Sequence, residues 1–205
     1  MDSSALGIVL GMAIGLRHAF EPDHLSAVSI LVSETRRPFH GALLGAWWGV
    51  GHTISLVVVG VILTLIGATL PESANVGFEL AVAAMLLLLG ARAIVKGIRG
   101  ERADHPHVGD RHQGVRPLAI GLVHGLAGSG ALTALVFAEL QGTGPRILYM
   151  VLFGVGSILG MAIASGVAGA SLQLVRSHQS RRAIGLMSGV LSVGVGLFWA
   201  IPLLA

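Results

Sequence analysis

The chain has 205 residues, of which 54% are apolar and 11% are charged, and its mean hydropathy is +0.83. A soluble domain of this length cannot bury so much apolar surface in one core, because its outer layer must face water. Cysteine is absent, which excludes disulfides and thiolate metal ligands. The net charge is positive, but the basic residues lie between apolar segments, which argues against a nucleic-acid partner. The composition therefore predicts a membrane protein in contact with lipid.

Six apolar segments follow one another along the chain, and each is long enough to cross a bilayer as a helix. They are Leu6–Val32, Phe39–Ile66, Val76–Ile98, Pro117–Leu140, Ile147–Val175 and Ala183–Leu204. The connections are short except for the one from Arg99 to Arg116, and the N-terminus lacks the basic residues of a cleavable signal. We expect a multi-pass protein of the plasma membrane without a separate soluble domain.

Arginine and lysine are distributed unevenly among the connections. The first connection carries Arg36 and Arg37. The third carries Arg99, Arg102, Arg111 and Arg116, and the fifth carries Arg176, Arg181 and Arg182. The second connection and the N-terminus carry none, and the fourth carries only Arg146. Because positive residues accumulate on the cytoplasmic side, this asymmetry predicts that both termini are extracytoplasmic.

Two short matches relate the halves of the chain. Ala13–His18 resembles Ala119–His124, and Trp48–His52 resembles Phe153–Ser157. Because each half would hold three spans, the halves must enter the membrane from opposite sides, as in many transporters. The predicted fold is therefore an all-α membrane protein in which six transmembrane helices form two inverted three-helix repeats. The repeats are residues 1–98 and 117–205, joined by a cytoplasmic loop at 99–116 that contains His105, His107 and His112.

Five ionisable residues lie near the middle of the first span, within the segment from Arg17 to His24. Ionisable groups at this depth cost at least a few kcal/mol each and indicate a functional site. Pro22 removes a backbone donor, so we expect the helix to break or kink there. On an unbroken helix His18 and Asp23 would lie about 140° apart. A break could turn both toward His24, and His52 lies near the middle of the second span.

Two or three imidazoles and a carboxylate, without sulfur, suit Ni²⁺, Co²⁺, Zn²⁺ or Cu²⁺ better than Mg²⁺ or Ca²⁺. The candidate metal residues are His18, Asp23, His24 and His52. The pattern predicts a transported ion and no prosthetic group. Hydrogen bonding between helices is the alternative explanation of these residues. The roles of Glu21 and His124 stay open at this point, because His124 matches His18 in the repeat but has no carboxylate near it in sequence.

Arg17-His18, followed by Asp23-His24, resembles the signature of the nickel/cobalt transporter family, and Gly51-His52-Thr53 resembles that family's second motif. The six-span format and the segment from Gly121 to Gly130 resemble its small urease-accessory members. The resemblance implies a permease for Ni²⁺ or Co²⁺, with the matched histidines and aspartate as metal ligands. Gly128-Ser129-Gly130 replaces the acidic motif that larger members carry in their second half.

Two other functions compete with a permease. An intramembrane metalloenzyme would need a base beside the metal, and the sequence offers only Glu21, without a His-Glu-x-x-His helix. A non-transporting accessory or metal-sensing protein would need a segment that binds a partner, for which only the third connection is available. The expected partners are thus the metal ion and membrane lipid, and homo-oligomerisation is left open.

Overall fold

A computed structural model of the chain describes residues 3–33, 38–100, 114–175 and 177–204. The described residues form seven α-helices and no strand. The helices are α1 (Ser3–His18), α2 (Pro22–Ser33), α3 (Pro38–Ile66), α4 (Glu72–Arg99), α5 (Val115–Glu139), α6 (Thr143–Leu174) and α7 (His178–Leu204). His105, His107 and His112, and most of the predicted cytoplasmic loop, lie outside the described residues.

Helix ends follow from local sequence. Pro22 and Pro38 are the first residues of α2 and α3, where the missing N–H has no helical partner to lose. Gly100 ends α4 in the left-handed conformation with φ of 66°, which glycine adopts without steric cost.

Five helices, α3 to α7, contain stretches that are long and apolar enough to cross a membrane. The first predicted span differs, because it is divided into α1 with 16 residues and α2 with 12. The break predicted at Pro22 is confirmed and explains why the described residues contain five uninterrupted candidate spans and not six. The chain is therefore an all-α, multi-pass membrane protein.

Apolar and polar side chains are arranged as lipid requires. Large apolar side chains are exposed along the long helices, among them Val58, Leu88, Val167 and Phe198, the last with 76% exposure. Polar side chains are buried inside, including Asp23, His24, His52, His124 and several serines. An apolar exterior around a polar interior is stable when the solvent is hydrocarbon.

Glycines bring helix backbones into close contact. Gly15 of α1 lies against the carbonyl group of Phe153 in α6, and Gly121 of α5 lies against that of Trp48 in α3. Gly156 meets the carbonyl oxygen of Met12, and Gly51 meets that of Leu118. The α1–α6 contacts thus resemble the α5–α3 contacts, with corresponding residues from the two halves exchanged. Small residues at such positions permit the approach that replaces the hydrophobic driving force in lipid.

Gly15→Ala is expected to lower the free energy of unfolding by about 1–3 kcal/mol, because the added methyl overlaps a backbone carbonyl that cannot rotate away. Gly77→Ala in α4 is the matched control, since its added methyl meets nothing within 4 Å. The control should leave stability unchanged or raise it by up to about 1 kcal/mol through helix propensity. Thermal unfolding of the detergent-solubilised protein measures both, and equal melting temperatures would contradict the packing described.

Candidate metal site

The break between α1 and α2 places three ionisable residues within one helical turn of a helix end. The amide N–H groups of Phe20 and Glu21 donate to the carbonyl oxygens of Arg17 and His18, at 2.9 and 3.0 Å, and close the last turn of α1. His18 is the last residue of α1, while Asp23 and His24 belong to the first turn of α2. An unbroken helix would direct these side chains apart, so the break is what allows them to converge.

Three imidazoles meet at this point. His18 and His24 have ring centroids 4.3 Å apart, and the ring of His52 lies 5.2 Å from the first and 5.1 Å from the second. His52 comes from the middle of α3 and is completely buried. One ring nitrogen from each of the three lies within 4.8 Å of the others. We call these three residues the imidazole triad.

Each of the two histidines beside the break contacts a carboxylate. Nδ1 of His18 lies 3.0 Å from Oε2 of Glu21, whose side chain is about half exposed. Nδ1 of His24 lies 3.1 Å from Oδ1 of Asp23, which is only 5% exposed. In both rings Nε2 is buried and has no hydrogen-bond partner among the described residues, and neither nitrogen of His52 has one. The triad therefore presents ring nitrogens that form no hydrogen bond with any residue the structure describes.

His124 of α5 joins the site from the other half of the chain. Its Nε2 lies 2.9 Å from Oδ2 of Asp23, and its ring centroid is 4.2 Å from that of His24. His124 has no carboxylate near it in sequence, but the fold supplies one from 101 positions away. The repeat that matches His124 with His18 was the sequence signal for this residue.

Aromatic rings and a glycine surround these residues. The ring of Trp48 lies 5.4 Å from His24 and 5.6 Å from His124, and Phe153 lies 5.2 Å from His18. A methyl group placed on Gly128 of α5 would lie 4.0 Å from both His18 Nε2 and His52 Cε1. The missing side chain at Gly128 thus leaves room beside the triad.

The structure brings together all four candidate residues from the sequence. His18, His24 and His52 form one group that could hold a metal ion, while Asp23, His24 and His124 form a second, with ligand atoms within 4.8 Å of one another in each. His24 belongs to both groups.

Comparisons with known proteins identify the family. The sequence pattern of the family described as high-affinity nickel-transport protein matches residues 5–116, which is more than half of the chain. The chain belongs to this nickel-transport family. The assignment confirms the resemblance read from the first two spans, and it makes the protein a transporter family member and not an enzyme.

Individual relatives agree with the family assignment. A urease accessory protein, UreH, from Bacillus sp. (strain TB-90) is 30% identical over 203 residues, covering 94% of this chain and 89% of the relative. A high-affinity nickel transport protein from Cupriavidus necator is 32% identical over 95 residues, and the match covers 42% of this chain and 26% of the relative. The chloroplast protein FOR GROWTH AND FERTILITY 2 of Arabidopsis thaliana is 24% identical and covers 91% of this chain and 54% of the relative. No solved structure matches the chain significantly.

Gly128 allows the space beside the triad to be tested without removing any histidine. Gly128→Ala should fold and bind metal normally, because its methyl makes only ordinary contacts of 3.9–4.0 Å. Gly128→Leu should fold but bind Ni²⁺ at least tenfold more weakly (about 1.4 kcal/mol), since three further carbons must occupy the space beside His18 and His52. Equilibrium binding of Ni²⁺ to the purified variants measures this. Unchanged affinity in the leucine variant would mean that the ion binds elsewhere.

Proposed function

We propose that this member of the nickel-transport family is a permease that moves Ni²⁺, and also Co²⁺, across the membrane through a site formed by His18, Asp23, His24 and His52. The observation that carries the proposal is the imidazole triad, in which three helical segments contribute one ring nitrogen each within 4.8 Å. All four residues lie within the segment that matches the family pattern.

The chemistry of the triad favours a borderline transition metal. Imidazole nitrogen suits nickel, cobalt, copper and zinc, whereas Mg²⁺ and Ca²⁺ prefer oxygen ligands. Nitrogens that share one ion about 2.1 Å away lie roughly 3–4 Å apart. The separation within the triad therefore needs only a small closure around an ion. Because copper outranks nickel in intrinsic affinity, the preference for nickel rests on the family assignment.

Charge balance supports a divalent cargo. A dehydrated divalent ion in a low-dielectric interior needs negative charge nearby. Among the residues whose burial the structure describes, Asp23 is the one buried carboxylate, and it lies directly beside His24. Glu21, half exposed beside His18, adds a second negative charge at the edge of the site.

The proposed route uses two inverted repeats that rock around this site. The exchanged contacts support the repeat, because Gly15 against Phe153 corresponds to Gly121 against Trp48 in the alignment of the halves. A broken helix with binding residues at its break is common where transporters bind ions near the midplane. Transport also requires that the imidazole ligands bind the ion strongly enough to replace its water and weakly enough to release it on the other side.

A non-transporting accessory role is the second candidate. It is favoured by the similarity to the relative from Bacillus, a urease accessory protein that this chain matches over nearly its whole length. Uptake of radioactive Ni²⁺ into proteoliposomes that contain only this chain separates the two functions. A permease accumulates the ion inside the vesicles, whereas a non-transporting protein retains only an amount proportional to the protein present.

Alanine substitution of His18, Asp23, His24 or His52 should each reduce Ni²⁺ and Co²⁺ uptake severely, without loss of membrane insertion. Each change removes a site group that neither lipid nor the neighbouring helices can replace. The loss should at least equal the roughly 10–100-fold that removal of an outer-shell partner costs a metal site. Uptake into intact cells, normalised to the amount of inserted protein, provides the measurement.

The matched control is the joint replacement of His105, His107 and His112 by alanine. These residues are in the predicted loop, where water substitutes for any ligand, so uptake should change little. His40→Ala offers a second control, because His40 lies in the first turn of α3, far along the helix from His52. Wild-type uptake by both His18→Ala and His24→Ala would refute the site.

The orientation proposed here places both termini outside and residues 101–113 in the cytoplasm, from the uneven distribution of arginine. Because the chain has no cysteine, single cysteines can report on sidedness. Ser73→Cys should react with an impermeant thiol reagent added to intact cells, and His105→Cys should react only after permeabilisation. The reverse pattern would invert the topology.

A further inference from the structure

We infer that His124 is a positioning residue of the transport site: it clamps Asp23, and Asp23 in turn orients His24 so that Nε2 of that ring faces the ion. The inference rests on the proposed function, because it assigns roles within the same site. His124 lies beyond residues 5–116, the segment that matches the family pattern. Its role therefore has to be argued from its contacts.

The directions of the hydrogen bonds follow from the chemistry of the groups. An ionised carboxylate only accepts, so both rings that contact Asp23 must donate to it. Nε2–H of His124 donates to Oδ2 over 2.9 Å, and Nδ1–H of His24 donates to Oδ1 over 3.1 Å. With its proton on Nδ1, a neutral His24 carries its lone pair on Nε2.

That lone pair is the one available to the triad. Nε2 of His24 is buried without a partner among the described residues, as is Nε2 of His18. His18 has the same pattern, because its Nδ1 lies 3.0 Å from the carboxylate of Glu21. In both residues a carboxylate holds one nitrogen and leaves the other for a ligand. This arrangement is the usual outer shell of histidines that bind metals.

Asp23 needs a second hydrogen-bond donor more than Glu21 does. Glu21 is half exposed, so water can solvate its second oxygen. Asp23 is buried, so an oxygen without a donor would cost free energy and the carboxylate could rotate away from His24. His124 supplies that donor from α5, a helix in the other half of the chain. The His24 ring is therefore held by residues from both halves.

A rival role for His124 is direct coordination. Asp23, His24 and His124 also offer ligand atoms within 4.8 Å of one another, so a second ion position could lie on the far side of His24. In that case Nδ1 of His24 and Nε2 of His124 would exchange their protons for metal. The two roles differ in how many imidazoles contact the ion and in whether an amide can replace His124.

Glutamine and asparagine at position 124 form a matched pair of variants. The amide nitrogen of glutamine reaches the place of imidazole Nε2 and can donate to Asp23, whereas the shorter asparagine places its amide near Nδ1 and falls short. Both variants keep a polar side chain of similar size, which guards against misfolding. The full chain, purified in detergent, is titrated with Co²⁺, and X-ray absorption of the bound ion counts its imidazole ligands.

A positioning role predicts that the bound Co²⁺ has the same number of imidazole ligands in the wild type, His124→Gln and His124→Asn. It also predicts near wild-type Co²⁺ affinity for glutamine and a loss of about 10–100-fold for asparagine. Loss of one imidazole in both variants would instead make His124 a ligand. Equal affinity of the asparagine variant and the wild type would make it a bystander. Failure of the proposed function is distinguishable, because His52→Ala would then keep full Co²⁺ affinity.

Discussion

The structure depends on one constraint, which is that a helix can be interrupted in a membrane only where protein satisfies and shields the interrupted backbone. The break between α1 and α2 interrupts the regular helical hydrogen bonding at residues 19–21. Ala19 is completely buried, and α1 is held against α6 by the contact of Gly15 with Phe153. Short turns at the end of α1 satisfy two of the amides. Close glycine packing is therefore a precondition of the site as well as a source of stability.

The same packing fixes the site from the second half of the chain. Gly121 and Gly125 of α5 lie directly against the backbone of α3 at Trp48 and His52. A methyl group at Gly121 would overlap the carbonyl oxygen of Trp48, and one at Gly125 would overlap that of His52, so the helices would have to move apart. The separation would remove His124, which lies between the glycines in sequence, from Asp23. The hydrogen bond between His124 and Asp23 thus depends on Gly121 and Gly125, although neither glycine takes part in it.

Sequence reasoning predicted most of the fold, because a membrane-spanning helix leaves a strong compositional signal. The predicted limits Phe39–Ile66 and Pro117–Leu140 differ by one or two residues from α3 and α5. Pro22 also predicted the break, since its effect on a helix is local. What the sequence could not supply was the partner of each polar group. The bond between His124 and Asp23 spans 101 positions and depends on which helices become neighbours, which periodicity does not encode.

The ring nitrogens of the triad support the proposed metal site. A buried polar atom without a partner costs about 1–3 kcal/mol, and soluble cores rarely retain one. Here both nitrogens of His52, Nε2 of His18 and Nε2 of His24 are buried without hydrogen-bond partners among the described residues, in rings whose centroids lie 4.3–5.2 Å apart. A network that served only to join helices would pair these atoms with one another or with backbone carbonyls, as Ser55 does with Leu122 over 2.7 Å. A divalent cation accepts lone pairs, so the proposed ion would offset this cost at the unprotonated nitrogens, whereas the single N–H of a neutral His52 requires an acceptor. The proposed ion would therefore bind these nitrogens without displacing a hydrogen bond to any described residue.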